Sequence, residues 1–219
     1  MISAKLTGFL EALKKNNNRE WFQKNKPWYD EVKNEFDVFT TKLIATTGKI
    51  DKDVLYLEPK DCIFRIYRDT RFSSDKTPYK TNFGAYLVKG GKKSNFAGYY
   101  FHIEPDSSLL AGGIYMPMPD VLKKLRTEIY ENIEEFLEIV EKPGFVKHFG
   151  HIDDNMKLKT PPKDFPKDFP YIEYLKFKNY SVAKDISSQM LHSNKLMDEV
   201  VTVFTAMVPL IKFFNNALS

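Results

Sequence analysis

The spacing of the apolar residues changes twice along the chain, and this change limits the possible folds more than any other feature. Up to about residue 48 the apolar residues recur at the interval of an amphipathic helix. From residue 62 to residue 116 they alternate with polar residues, which is typical of half-buried strands. The helical interval returns after Pro119. Helices on both sides of a block of strands predict an α+β fold, in which helices flank an antiparallel meander sheet.

Capping residues and prolines predict where the helices begin. Ser3 suits the cap of a first helix, and Pro27 suits the first position of a longer one. Pro119 begins a third helix, and Ser193 is a capping residue for the terminal helix. The sequence predicts helices between residues 3 and 16, 27 and 48, 119 and 140, and 193 and 211, with a short capped turn at residues 18–22.

Glycines and turn residues separate the predicted strands. Gly90-Gly91 predicts a hairpin turn, and Pro105-Asp106-Ser107 predicts a second turn. Gly112-Gly113 leaves room for a close neighbour or a ligand. The sequence predicts strands over residues 62–68, 82–89, 97–104, 109–116 and 176–182.

The composition is that of an ordinary globular protein. With 219 residues and 42% hydrophobic content, we expect a single domain over residues 1–219 with a substantial core. The one cysteine, Cys62, excludes an internal disulfide. No signal-peptide pattern begins the chain, and the longest uncharged apolar run, Val200–Ile211, is too short to cross a bilayer. We therefore expect a cytoplasmic protein with no membrane partner, and the oligomeric state stays open.

The excess of positive charge is concentrated in residues 60–93, which we call the basic window. It contains nine Lys and Arg against three Asp, a net charge of +6, while the whole protein has +4. Clustered Arg, Lys, Tyr and Ser side chains are the chemistry of an anion or phosphate site. We therefore predict that a phosphorylated or carboxylated ligand binds the strand and loop of residues 65–80. The predicted ligand-binding residues are Arg65, Arg68, Arg71, Ser73, Lys76, Tyr79 and Lys80.

Two residues are candidate acid–base groups in this site. Asp69 lies in the loop itself. His102 shares one face of its predicted strand with Tyr100 and Glu104, because alternate residues of a strand point to the same side. A histidine there can act as an acid or a base, or donate to a phosphate oxygen. A packing role with one hydrogen bond is the alternative, so the sequence leaves open whether the protein is an enzyme.

Two other interpretations of the basic window remain open. Asp69 and Asp75 can neutralise two of the bases, so that the ion pairs are purely architectural in a structural or partner-binding module. Residues 60–80 hold six bases and three acids, and three positive charges then have no partner within that stretch. The window can instead bind nucleic acid, with Tyr and Phe as stacking platforms and the lysines of the hairpin tip on phosphates.

A possible metal site and several cofactor motifs can be assessed directly. His148 and His151 precede Asp153 and Asp154, and such a group can bind zinc or manganese in principle. No helical frame positions them and no third histidine is near, so we interpret them as a solvated loop and predict no metal site. The chain contains no phosphate loop, dinucleotide-binding motif or nucleophile elbow. We therefore expect no cofactor.

Four stretches of the chain together resemble a known family. They are NNREWFQKNKPWYDE (17–31), FRIYRDTRFSSDKTPYKTNFG (64–84), YYFHIEPDSSLLAGGIYMP (99–117) and PPKDFPKDFPYIEYLKFK (161–178). By these motifs the chain resembles, almost from end to end, a bacterial and fungal family of conserved proteins catalogued as domain of unknown function 2461. The resemblance implies one compact α+β domain, with signature positions within residues 65–80, at His102 and at Gly112-Gly113. It implies no established activity.

Overall fold

The structure, a computed structural model, describes residues 1–152 and 156–219. These residues form ten α-helices, one short 3-10 helix and four β-strands. In chain order they are α1 (Ala4–Lys15), α2 (Arg19–Lys24), α3 (Lys26–Thr47), the 3-10 helix (Lys52–Val54), α4 (Pro59–Cys62), β1 (Phe83–Val88), β2 (Gly98–Ile103), β3 (Leu109–Ile114), α5 (Pro119–Glu131), α6 (Ile133–Val140), α7 (Pro143–Phe149), α8 (Ile172–Leu175), β4 (Tyr180–Asp185), α9 (Ser188–Leu191) and α10 (Leu196–Leu218).

The four strands form an antiparallel sheet in the order β1-β2-β3-β4, so each strand pairs with the next one in the chain. Phe83 of β1 lies opposite Ile103 of β2, and Tyr99 of β2 lies opposite Gly112 of β3. The strand β4 joins the edge of β3 after the helices α5 to α8. This arrangement confirms the predicted α+β fold with a meander sheet.

One face of the sheet lies against the hydrophobic core. Tyr99, Phe101 and Ile103 of β2 are fully buried on this face, because α3 and α10 cover it. The ring centroid of Phe101 lies 4.8 Å from that of Phe39 in α3, and the centroid of Tyr99 lies 5.0 Å from that of Phe204 in α10. The other face of β2, which carries Tyr100 and His102, points away from this core.

Gly112 lets the terminal helix approach the sheet closely. A Cβ atom at Gly112 would lie 2.6 Å from the Sδ atom of Met207 in α10. No side chain larger than hydrogen fits there without a shift of the helix. The room that the sequence predicts at this glycine is therefore filled by α10.

Side-chain caps begin the first helices where the sequence predicts them. The Ser3 hydroxyl accepts from the Leu6 N–H at 3.2 Å, and the Asn18 side chain accepts from the Trp21 N–H at 2.9 Å. Pro27 lies in the first turn of α3, where its missing N–H has no helical partner to lose. The predicted first helix, the short turn and the long helix are thus confirmed.

The strand predicted at residues 62–68 is wrong. Pro59–Cys62 form the short helix α4, and the chain after it makes isolated bridges to β1 and between Tyr67 and Tyr79. Pro78, next to Tyr79, has no N–H to donate to a ladder, which stops the pairing from extending. This segment is therefore an irregular loop that returns on itself.

Several other predicted elements have different bounds. The terminal helix α10 begins at Leu196, after Lys195 rather than after a Ser193 cap, and continues to Leu218. The helix predicted over residues 119–140 is divided into α5 and α6, because Asn132 leaves the helical conformation between them. The Asn132 side chain donates instead to the Glu128 carboxylate at 3.0 Å. The strand predicted over residues 176–182 begins later, at Tyr180, because Lys176 still caps the end of α8.

Within the two described ranges, every helix is too short or too polar to pass through a lipid bilayer.

Candidate functional site

A groove crosses the outer face of the sheet, on the side opposite the core. Its volume is about 700 Å³, which is the size of a small-molecule site. All four strands contribute to the floor, and the loop after α4, the β1–β2 hairpin and the segment after β3 form the walls. The larger apolar and aromatic residues that line it include Phe64, Tyr86, Phe96, Tyr100, Leu109, Tyr115, Met116, Met118 and Val121.

Lys80 gives the groove a cation that no described carboxylate neutralises. Its ammonium group lies 5.3 Å from the centre of the Phe64 ring, and it forms no ion pair or side-chain hydrogen bond with the described residues. Its backbone N–H donates to the Ile66 carbonyl at 2.7 Å, which fixes the position of the residue. Burial, followed by the charge of Arg65, lowers the pKa of Lys80. A half-buried ammonium over an aromatic ring attracts anions.

Tyr100, which also contacts Phe64, begins a chain of four hydrogen-bonded side chains. Its hydroxyl lies 2.9 Å from Nδ1 of His102, and Nε2 of His102 lies 3.2 Å from the Glu104 carboxylate. The Thr81 hydroxyl donates to the other oxygen of Glu104 at 2.5 Å. An ionised carboxylate only accepts hydrogen bonds, so a neutral His102 carries its proton on Nε2 and accepts from Tyr100 at Nδ1. The four side chains thus link the groove to the half-buried Glu104.

The Tyr100 hydroxyl is protonated at neutral pH, as in any tyrosine, and its partly buried position strengthens this. Burial, followed by the charge of Glu104, raises the pKa of Tyr100 to about 12. The His102 side chain lies behind it and is 13% exposed. The Tyr100 hydroxyl therefore has one hydrogen to donate. When His102 is neutral, its Nδ1 accepts that hydrogen.

Gly84 makes the room that the Tyr100 hydroxyl needs. It lies directly opposite His102 in the register of β1 and β2. A Cβ atom at Gly84 would lie 2.4 Å from the Tyr100 hydroxyl oxygen. The glycine is thus a requirement of the hydrogen-bond chain.

The far rim of the groove is a short apolar segment in a strained conformation. Met116 has a φ of +48°, which is uncommon for a residue with a side chain, and its N–H donates at 2.7 Å to the side chain of Asn179. Asn179 itself is only 2% exposed, so this anchor is fixed. Met116 and Met118 are more than half exposed at the rim, where flexible thioether side chains adapt to different shapes.

Both arginines of the loop of residues 68–77 form ion pairs within the loop. Arg68 binds Asp75, and Arg71 makes two hydrogen bonds to Asp69, at 2.9 and 2.7 Å. Hydrogen bonds from Arg71 and Arg68 lower the pKa values of Asp69 and Asp75 to about 2. This is the arrangement that the architectural interpretation of the loop expects.

The other predicted ligand-binding residues occupy separate positions. Lys76 donates to a backbone carbonyl of the loop at 2.9 Å, and Ser73 lies half-buried in the same loop. Tyr79 is buried, with its ring stacked on a ring of α2 at 4.0 Å between centroids. Arg65 is exposed, and its charge acts on both Lys80 and Asp69. Of the seven predicted residues, Lys80 alone lines the groove.

The predicted solvated loop with two histidines has a different local structure in its described part. His148 lies on α7, and its Nδ1 is 3.4 Å from the ammonium of Lys184. Burial, followed by the Lys184 charge, lowers the pKa of His148. Within residues 1–152 and 156–219, no three His, Cys, Asp or Glu side chains lie close enough together to hold a metal ion. Asp153 and Asp154 lie outside the described residues.

Sequence reasoning did not find the walls of the groove. Phe64, Phe96 and Met116 belong to three separate segments, and no local pattern indicates that these segments meet above one sheet. A signal was present in β2, where Gly98 and Tyr100 share a face with His102. A small residue and two polar aromatic residues on the non-core face indicate a surface with space above it.

The fold and the groove together define an α+β protein with a cavity of small-molecule size on the outer face of an antiparallel sheet. A family model described as conserved hypothetical protein, domain of unknown function 2461, matches residues 5–213. The chain belongs to this family, as the motifs in its sequence indicated. No curated protein and no solved structure matches the chain.

Proposed function

We propose that the protein binds a small organic anion in the groove, with a carboxylate or phosphate group at Lys80 and an apolar body along the aromatic floor. The observation that carries this proposal is the half-buried Lys80 ammonium, which lines the groove without a carboxylate partner among the described residues. A half-buried cation without a carboxylate partner has lost part of its hydration, and a bound anion supplies the missing charge. Arg65 adds a second positive charge nearby.

The walls support an aromatic or aliphatic body for this ligand. Phe64 and Tyr100 meet edge to face with 6.2 Å between their centroids at the Lys80 end. Most of the remaining lining is apolar up to the methionine rim, and Lys92, Ser94 and Asn95 are polar residues of the hairpin wall. Sites of this kind bury most of a small ligand and use a few polar groups to orient it. Benzoate and phenyl phosphate therefore have the simplest matching shape.

Thermal unfolding with a panel of ligands tests the proposal, because a ligand that binds only the folded state raises its melting temperature. The panel contains benzoate, phenyl phosphate, octanoate and inorganic phosphate, with benzamide as the uncharged analogue of benzoate. We expect shifts with the organic anions and none with benzamide. Replacement Lys80→Gln is expected to weaken benzoate binding by about 1.5–3 kcal/mol, because a charge-assisted hydrogen bond is lost.

The matched control is Lys93→Gln, which removes the same charge from an exposed position in the hairpin and should leave binding unchanged. Arg68→Ala and Arg71→Ala test the predicted ligand-binding role of the loop. Loss of anion binding in these two variants, with full binding in Lys80→Gln, would move the site to the loop. Stability lost without any anion effect would support the architectural interpretation, and no shift with any anion would overturn the proposal.

A second candidate function is the binding of single-stranded nucleic acid by the basic window. Phe72 supports it, since its side chain is 96% exposed in the loop and its ring lies 5.8 Å from the Arg71 guanidinium. An exposed aromatic ring beside a cation is a stacking platform for a base. A fluorescent oligonucleotide should then bind with an affinity that falls steeply with salt, and Phe72→Ala should weaken it. Binding that ignores Phe72 or salt would exclude this function.

A further inference from the structure

The hydrogen-bond chain behind the groove has two states that differ in what Tyr100 presents to a ligand. With His102 neutral, the single hydroxyl hydrogen of Tyr100 is donated to Nδ1, 2.9 Å away. The Tyr100 oxygen then offers only lone pairs to the groove. An anion that enters meets an acceptor, which repels it.

Protonation of His102 reverses the direction of this hydrogen bond. The new proton sits on Nδ1 and is donated to the Tyr100 oxygen, while Nε2 continues to donate to Glu104 at 3.2 Å. The Tyr100 hydrogen is released and can point into the groove. The same phenol thus becomes a donor to an anion, with no change in its own protonation.

The groups around His102 decide what balances the charge of this second state. Its neighbours in the register, Gly84 on β1 and Leu109 on β3, carry no charge. Glu104, held by Thr81 at 2.5 Å, balances the charge of a protonated ring. The positive charges of Lys80 and Lys92, which line the groove, oppose it, and a bound anion offsets them.

We propose that the groove takes up one proton together with its anion, with His102 as the group that receives the proton and Tyr100 as the donor that His102 releases toward the ligand. This inference rests on the proposed function of the groove. It adds a specificity rule, because a neutral analogue of the ligand accepts only a weaker hydrogen bond from Tyr100 and does not offset the charge of a protonated His102. It also makes anion affinity increase on acidification through the range in which histidines titrate.

Calorimetry with benzoate tests the proposal, since the carboxyl group of benzoate stays ionised over the whole range used. The heat of binding is measured in buffers of different ionisation enthalpy, and its dependence on the buffer gives the number of protons taken up. For the unmodified protein we expect that each benzoate bound at about pH 7 is accompanied by the uptake of at most about one proton. We also expect roughly five- to tenfold tighter binding at about pH 6 than at about pH 8.

Three variants separate the groups that can receive the proton. His102→Gln should lose the proton uptake and the pH dependence while keeping the binding that Lys80 provides. Tyr100→Phe, which keeps the ring, should lose most of the gain in affinity at low pH. The control His151→Gln removes an exposed histidine and should behave like the unmodified protein. Circular dichroism confirms that each variant is folded before binding is measured.

Each outcome either supports or overturns the proposal. Benzoate binding that depends on Lys80 but takes up no proton overturns this inference and leaves the proposed function in place. Proton uptake that persists in His102→Gln and disappears in Lys80→Gln makes Lys80 the acceptor and overturns it as well. No binding of benzoate, octanoate or phenyl phosphate at any pH overturns both proposals.

Discussion

At the scale of single residues, Gly84 and Tyr100 hold each other in place. We expect Gly84→Ala to destabilise the protein by about 1–3 kcal/mol, because the new Cβ atom would overlap the Tyr100 hydroxyl at 2.4 Å. The displaced hydroxyl should also lose its hydrogen bond to His102. Denaturant unfolding measures the first effect, and the nitrogen chemical shifts of the His102 ring measure the second.

Gly144→Ala is the matched control for this substitution, since among the described residues no side chain or other element lies within 4 Å of a Cβ atom there. Adding Tyr100→Phe to Gly84→Ala removes the nearest contact, and part of the lost stability should return. The steric explanation is contradicted when Gly84→Ala and Gly144→Ala have the same effect.

A buried carboxylate gives a second prediction at this scale. Asp51 is 7% exposed and accepts from the Tyr99 hydroxyl at 2.9 Å. We expect Tyr99→Phe to reduce the free energy of unfolding by about 1–3 kcal/mol, because the carboxylate is left without this donor. Tyr56→Phe is the control, as Tyr56 is 91% exposed. Equal stability of Tyr99→Phe and the unmodified protein would show that the bond contributes nothing.

The sequence predicts single residues well where the rule is local. Alternation alone places Tyr99 and His102 on opposite faces of their strand, because neighbouring residues of a strand point to opposite sides. The partners of Arg68 could not be derived in this way. The charge count is the same whether Arg68 binds Asp75 or a ligand, and only the path of the loop decides between them.

At the scale of elements, the loop of residues 68–77 makes a prediction about pH. The carboxyl groups of Asp69 and Asp75 should titrate near about 2 rather than at the ordinary 3.8, because Arg71 and Arg68 bind them. Since the folded-state pKa is lowered, any stability from these pairs is complete above 3.8 and is lost as the pH falls toward about 2. Carbon NMR of the carboxyl groups measures both values.

Arg71→Gln should return the pKa of Asp69 toward its ordinary value and leave that of Asp75 unchanged. The melting temperature should hardly move, since this pair is exposed and screened by water. If both carboxyl groups titrate near 3.8 in the unmodified protein, the loop does not hold its ion pairs in solution.

The elements themselves are predictable from the sequence where caps define them. Ser3 and Asn18 mark helix starts by chemistry that acts within three residues. The segment after α4 was predicted as a strand because alternation occurs there, but a strand also needs a partner for its full length. Pro78 has no N–H to continue the ladder, so the segment has no partner strand over its full length. The sequence alone does not show which residues lie opposite Pro78.

At the scale of the whole molecule, Asn215 ties the last turns of the chain to the sheet. Its side chain accepts from the Ala97 N–H at 2.7 Å and donates to the Ala97 carbonyl at 3.1 Å. We expect Asn215→Leu to cost about 1–3 kcal/mol, because the buried N–H of Ala97 loses its acceptor. Hydrogen exchange of the Ala97 amide should accelerate with it. Asn216→Leu, at the exposed neighbouring position, should change neither the free energy of unfolding nor the exchange rate of the Ala97 amide.

The alternation of β2 has a consequence for which properties of the molecule a single substitution can change. Odd-numbered residues such as Tyr99 and Phe101 face the core, and the even-numbered Tyr100 and His102 lie on the groove side. A substitution at an even position changes the groove side of the sheet, while α3 and α10 pack against Phe101 and Tyr99 at odd positions. The chemistry of the groove and the packing of the core can therefore be varied separately, by substitutions at alternate positions of one strand.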